Sequence, residues 1–97
     1  MTEAAEHART LHRDAVVIDG VCPLLMDPAN VTYYMDGGLT AAVPTIAIRE
    51  TAEQTLRIFG RWHRFIAGHD RLRLARLAAD IEAAKQAGDM AIVFHFQ

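Results

Sequence analysis

An α/β fold with parallel strands is predicted from three features of the sequence. Residues 15–18 and 90–94 are unbroken apolar runs of the kind found in strands that are buried on both faces of a parallel sheet. Residues 51–54 (TAEQ) match a capping box, and apolar residues follow them at helical spacing. Because helical segments separate the strands along the chain, the strands are expected to pair in parallel through right-handed crossovers.

The first half of the chain is predicted to form a helix, a strand, a long connection and a second strand. The helix covers residues 2–13, and Thr2 is suited to its start. The connection, residues 20–38, combines turn formers with many large apolar side chains, which is typical either of a functional loop or of a loop packed for stability. The second strand covers residues 39–48, and Pro44 should cause a bulge or weaken the pairing there because it lacks a backbone donor.

The second half is predicted to form a helix, a short extended segment, a short helix and a strand. The first helix covers residues 51–67, with Trp62 on its buried side. An extended segment at residues 72–76 is followed by a helix that begins at Asp80 and ends at Gly88. The basic residues of the longer helix are interpreted as a solvated row: Arg57, Arg61 and Arg64.

Composition and charge exclude several classes of partner and location. The 97 residues include 10 basic and 12 acidic side chains, a net charge of −2, so neither a nucleic acid nor an anionic membrane is expected to bind. No apolar run approaches the roughly 18 residues of a membrane span, and the polar, acidic start is not a secretory signal. Cys22 is the single cysteine, which excludes an intrachain disulfide and fits a reducing compartment, so a cytoplasmic location is expected.

Asp19 and Gly20 follow the first strand directly, at the position where α/β folds place ligands and catalytic groups. By pattern alone, a turn in which Asp19 caps and Gly20 supplies a positive φ explains these two residues better than a site does. The surrounding residues 11–20 (LHRDAVVIDG) resemble the opening of the membrane dipeptidase, or renal dipeptidase, family. Residues 37–42 and 80–94 are similar to later parts of the same family pattern.

The resemblance implies a zinc metallopeptidase with a (β/α)8 TIM-barrel fold that hydrolyses dipeptides with a metal-activated water. A complete barrel needs about 250 residues. Residues 1–97 are therefore expected to be the N-terminal fragment of a single barrel domain, and to be inactive by themselves. The expected substrate is a small dipeptide or amide. Whether the protein forms a homo-oligomer is left open.

The family's metal-ligand positions carry unsuitable side chains in this chain. They correspond to Val21, Pro23 and Gln97, of which the first two have no side-chain donor and the third is neutral. Four residues remain candidates for lining the site: Asp19, Cys22, His95 and Gln97. Cys22 is either a soft zinc ligand or a small buried residue. His95 and Gln97 share one face of their strand, where His95 is either a ligand or substrate contact, or a packed residue.

Two alternatives to a dipeptidase stay open at this point. The first is a divergent or non-catalytic amidohydrolase-like barrel that binds a small ligand. The second is a stand-alone α/β module that self-associates through an uncovered strand edge. The catalytic residues cannot be named from the sequence.

Overall fold

The computed structural model describes residues 2–97. Within this range the longest helix has 16 residues, and no helix is both long and apolar enough to cross a membrane. Two short 3-10 turns lie between the first strand and the second helix. The helices and strands in chain order are α1 (Glu3–Asp14), β1 (Ile18–Asp19), α2 (Val31–Asp36), β2 (Ala41–Ala42), β3 (Thr45–Ala47), α3 (Ala52–Ala67), β4 (Leu72–Leu74), α4 (Ala78–Ala87), β5 (Met90–Ile92) and β6 (His95–Phe96).

All the strand pairs are parallel, as predicted. Four strands form one sheet in the order β1-β2-β5-β4, and β3 pairs with β6. The predicted strand over residues 39–48 is divided into β2 and β3, with Pro44 in the gap. The ladder continues through the gap, because the Val93 amide donates to the Ala42 carbonyl (3.0 Å) and the His95 amide to the Pro44 carbonyl (3.3 Å). The predicted disturbance at Pro44 is confirmed.

The first and third helices begin as their sequences predict. The Ala5 amide donates to Thr2 Oγ1 at 3.1 Å, so Thr2 is the N-cap of α1. At α3 the Gln54 amide donates to Thr51 Oγ1 (3.2 Å) and the Thr51 amide donates to Gln54 Oε1 (2.9 Å). This reciprocal capping box satisfies two amides that have no partner within the helix.

The prediction that Asp80 begins the last helix is wrong. Helix α4 begins at Ala78, and Asp80 lies inside its first turn. The Asp80 carboxylate accepts from the preceding amides of Arg76 (2.7 Å) and Leu77 (3.0 Å), so it stabilises the turn that leads into the helix. The predicted end is confirmed, because Gly88 has the left-handed conformation (φ 76°) that favours glycine.

Helices α3 and α4 cover opposite faces of the sheet. Trp62 of α3 belongs to the main core cluster with Ala42 and Ile92, whereas α4 packs against Ala41 and Ala91. Neighbouring residues on a strand point to opposite faces, so each helix covers a different face. The topology explains this arrangement, because the crossovers from β2 to β4 and from β4 to β5 run in opposite directions across the sheet.

The expectation that residues 15–18 are buried on both faces is wrong. Strand pairing is limited to Ile18 and Asp19, and the side chains of Val16 and Ile18 are 49% and 51% exposed. Ile18 is in register with Ala41, so it lies on the face that α4 covers. Helix α4 packs near Ala41 and leaves Ile18 uncovered within residues 2–97, because β1 is at the edge of the sheet.

The connection after β1 is folded rather than irregular. It contains the two 3-10 turns and α2, and Leu25 and Val31 from it are fully buried in the main core. Asp27 caps the second turn by accepting from the Ala29 amide at 3.0 Å. The connection therefore forms a fixed wall beside the carboxyl ends of the strands.

Candidate functional site

A cavity of about 320 Å³ lies between the connection after β1, the end of β3 and helix α3. Its walls are mainly apolar, and they include Leu25, Ile46, Ile58 and Trp62. The polar side chains that reach it are Thr45, Glu50, Arg61 and Gln97. The cavity is at the carboxyl ends of the strands, the end of a parallel sheet at which α/β enzymes bind their ligands.

Glu50 supplies an ionised carboxylate to the cavity. Its Oε2 accepts hydrogen bonds from the amides of Ile48 (2.7 Å) and Arg49 (3.0 Å) in the segment that joins β3 to α3. These bonds stabilise the charged form and lower the pKa of Glu50 from its usual value. Oε1 accepts no hydrogen bond from residues 2–97, so it is available to a ligand.

Arg61 of helix α3 contacts the connection after β1. Its guanidinium forms an ion pair with the Asp27 carboxylate at 3.2 Å, and both side chains are more than half exposed. The arginine row is exposed to solvent, as predicted. Arg61 additionally pairs with Asp27, which lies 34 positions earlier in the sequence. Because both partners are exposed, the pair contributes little to the free energy of unfolding. It is a contact between the connection after β1 and helix α3.

Cys22 is buried and holds the end of β1 against the gap between β2 and β3. Its thiol donates to the Asp19 carbonyl (3.5 Å), and its Sγ accepts from the Val43 amide (3.3 Å). Burial raises the pKa of the Cys22 thiol, and the nearby Asp19 carboxylate adds to the effect. A protonated thiol that is already hydrogen-bonded is a poor metal ligand, so the structure favours the interpretation of Cys22 as a packed residue.

His95 is paired with Thr45 on the neighbouring strand. His95 Nε2 and Thr45 Oγ1 are 2.7 Å apart, and His95 Nδ1 is 3.1 Å from the carbonyl oxygen of Phe96. A carbonyl only accepts, so Nδ1 donates, and in the neutral ring Nε2 accepts the Thr45 hydroxyl proton. Both ring nitrogens are therefore engaged, and neither is free to bind a metal ion in this arrangement.

The described residues do not fit a zinc centre by themselves. Across residues 2–97 no three His, Cys, Asp or Glu side chains are grouped so that they would hold a metal ion. Val21 and Pro23 have no side-chain donor, and Gln97 offers only a neutral amide oxygen where a bridge between two cations needs an anionic carboxylate. The donors of Cys22 and His95 are already hydrogen-bonded.

Sequence reasoning found only part of this site. Cys22 and Gln97 line the cavity, whereas Asp19 and His95 do not. Asp19 instead accepts from the Val21 amide at 3.3 Å, which is the turn role considered for it. Glu50 was missed, although its position after a strand and directly before the Thr51 cap placed it at the functional end of the sheet.

The comparisons with known proteins support an amidohydrolase-like fold. No family model matches the chain, and no curated protein matches it. Among solved structures, it is similar to the crystal structure of an amidohydrolase from Pseudomonas aeruginosa, with 30% sequence identity and a TM-score of 0.80. The match covers 92% of this chain and 28% of that one, so the chain spans little more than a quarter of the amidohydrolase's length.

The predicted fold class is confirmed at this level. The chain is an α/β structure in which parallel strands alternate with helices, as in the N-terminal part of a (β/α)8 TIM barrel. Its fold resembles the corresponding part of that amidohydrolase. The closer resemblance to membrane dipeptidases, with its zinc and its dipeptide substrate, stays a prediction.

Proposed function

We propose that this protein is a hydrolase that cleaves the amide bond of a small substrate such as a dipeptide, and that the described residues supply part of its substrate-binding surface. The observation that carries the proposal is the position of the 320 Å³ cavity at the carboxyl ends of the strands, in a chain that matches an amidohydrolase over 92% of its length. Barrel enzymes bind their substrates at this end.

The shape and lining of the cavity suit a small substrate with an apolar part. Its volume is within the range of about 300–1,000 Å³ that is typical of small-molecule sites. Ile58 and Trp62 exclude water from one side, while Glu50 and Gln97 give the cavity polar groups that orient a ligand. This combination of apolar walls and a few polar groups is usual for a substrate site.

Amide hydrolysis needs an activated water, and the described residues do not supply the groups that activate it. In the family that the sequence resembles, zinc serves this purpose. Val21, Pro23 and Gln97 are unsuited to bind it, so zinc binding would require side chains outside residues 2–97. The 97-residue chain alone is therefore expected to bind substrate without hydrolysing it.

A barrel that binds a small ligand without catalysis is the second candidate. The side chains at Val21, Pro23 and Gln97 favour it, because a barrel that no longer catalyses hydrolysis has no need of metal ligands at those positions. This candidate predicts ligand binding with no turnover in any form of the protein.

Hydrolysis of leucyl-glycine separates the two candidates. The full product of the gene and the 97-residue chain are each incubated with the dipeptide, with and without added zinc, and free leucine and glycine are followed by NMR. The proposal predicts release of both amino acids by the full gene product and none by the 97-residue chain. Binding without release by the full product would support the non-catalytic barrel instead.

A further inference from the structure

The cavity contains a carboxylate that no cation of the described chain neutralises. Within residues 2–97, the ion pairs with N–O distances of 4.0 Å or less do not include Glu50. Arg61 also lines the cavity, but its partner is Asp27. The carboxylate is ordered by the amides of Ile48 and Arg49, and its second oxygen stays free. Glu50 is partly exposed, so its charge lies where the cavity meets solvent. A fixed negative charge without an ion-pair partner favours a cationic ligand there.

Further acceptors lie in the same cavity. Thr45 donates its hydroxyl proton to His95, so the lone pairs of Thr45 Oγ1 remain available to a donor. Gln97 also lines the cavity, and its side-chain amide carries an acceptor oxygen. A primary ammonium group has three N–H donors and no acceptor, so it can bind to the Glu50 carboxylate together with these neutral oxygens. The guanidinium of Arg61, which also lines the cavity, is paired with Asp27.

The walls next to these acceptors suit a branched aliphatic group. Trp62 is 2% exposed and Leu25 is fully buried, so both are held by the core and do not need to be ordered when a ligand binds. Ile58 and Ile46 complete an apolar surface beside them. Preformed apolar walls reduce the entropic cost of binding.

We propose that this cavity binds a primary ammonium ion that carries a short branched apolar group, with the ammonium on Glu50 and the apolar group against Ile58 and Trp62. The inference deepens the proposed function. It rests on that function in one respect, because it takes this ligand to be the amino end of the amide substrate. The cavity itself is formed by described residues of this chain, so binding is measurable on the 97-residue protein.

Leucinamide is the probe, and 4-methylpentanamide, which has the same apolar body without the amino group, is its matched control. Trp62 is the single tryptophan and lines the cavity, so its fluorescence reports binding of both compounds. We expect the wild-type protein to bind leucinamide about tenfold more tightly than the control, as for the loss of one charge-assisted hydrogen bond. Equal affinities, or no binding of leucinamide, would overturn the inference.

Glu50→Gln tests the carboxylate directly. Glutamine keeps an acceptor for the amides of Ile48 and Arg49, so the loop is preserved while the charge is removed. The variant should bind leucinamide about tenfold more weakly and the control amide unchanged. Glu53→Gln is the matched variant, because Glu53 is an exposed carboxylate of the same helix start that pairs with Arg57 and does not line the cavity. Equal weakening by both variants would contradict the assignment to Glu50.

Failure of this inference is distinguishable from failure of the proposed function. Hydrolysis of leucyl-glycine by a protein that binds leucinamide and its control equally would overturn the inference and leave the hydrolase proposal in place. Selective binding of leucinamide by the full product of the gene, without hydrolysis of leucyl-glycine by that product, would support the inference and contradict the hydrolase proposal. Circular dichroism of each variant establishes that it is folded, and the comparison of the two ligands on the wild-type protein depends on no variant.

Discussion

Thr45 and His95 lie opposite each other on parallel strands β3 and β6, with Thr45 Oγ1 and His95 Nε2 2.7 Å apart. The second ring nitrogen of His95 donates to the Phe96 carbonyl at 3.1 Å, so the pair fixes the orientation and the tautomer of the ring. The pair follows the gap at Pro44, where the ladder between the strands is weakened. It therefore helps to hold the strand ends beside the cavity.

Replacement of Thr45 by valine should destabilise the protein through His95. Thr45→Val conserves shape but leaves the half-buried His95 Nε2 without its hydroxyl donor, so we expect the free energy of unfolding to fall by about 1 kcal/mol. Urea denaturation measures the change. Thr32→Val is the control, because Thr32 is exposed and donates only to the local Ala29 carbonyl, and its effect should be below about 0.5 kcal/mol. Equal effects would contradict a specific role for the pair.

Cys22 should react slowly with thiol reagents in the native protein. Burial raises its pKa and removes it from solvent, whereas the thiolate is the reactive form. Labelling by iodoacetamide at pH 7 should be more than about tenfold slower than in urea, because it requires local or global opening. Equal labelling rates in buffer and in urea would show that the thiol is accessible, contrary to the structure.

The hydrogen bonds of Asp80 should make stability depend on pH in the acid range. The amide of Arg76, followed by that of Leu77, lowers the pKa of Asp80 below its unfolded value of about 3.9. Their stabilising effect is therefore complete above the unfolded pKa and is lost as the pH falls through the native pKa. Asp80→Ala should lower the Tm at pH 7, and this difference should disappear at about pH 2.

A neutral substitution in the same helix controls for this effect. Gln86 is exposed on α4, and Gln86→Ala removes no ionisable group. Its Tm difference from the wild-type protein should be the same at both pH values. If Asp80→Ala lowers the Tm by the same amount at about pH 2 as at pH 7, the ionised carboxylate does not have the proposed role.

The exposed side of β1 should promote self-association of the 97-residue chain. Ile18 of edge strand β1 and Val16 just before the strand are both about half exposed. An exposed apolar edge strand readily pairs with another chain. Light scattering after size-exclusion chromatography should show a mass that rises with concentration, and Ile18→Lys should reduce it. Leu56→Lys changes an exposed residue of α3 and should have no effect. A wild-type protein that stays monomeric would refute this expectation.

Local signals in the sequence predicted much of the fold. The capping box at Thr51 and the end of the last helix at Gly88 depend on neighbouring residues, and both are confirmed. The break at Pro44 follows from the missing amide of a single residue. Each of these features is decided within a few residues of the chain, so the sequence alone was sufficient.

Features that depend on distant residues were predicted poorly. The exposure of Ile18 depends on where α4 packs, and this cannot be read from an apolar run. The cavity role of Glu50 required the approach of α3 to the connection after β1, which Arg61 and Asp27 link across 34 positions. The family resemblance directed attention to Val21, Pro23 and Gln97, which line the cavity. It gave no indication of Glu50 or Ile58, which line the same cavity from the segment after β3 and from α3.

We propose above that the cavity beside Glu50 is part of the substrate site of an amide hydrolase. The most direct test is the kinetics of leucyl-glycine hydrolysis by the full product of the gene, wild-type and Glu50→Gln. We predict hydrolysis by the wild-type protein and a KM about tenfold higher in the variant, the expected cost of one charge-assisted hydrogen bond to the substrate's ammonium group. No hydrolysis by a folded wild-type protein, or an unchanged KM in the variant, would contradict the claim.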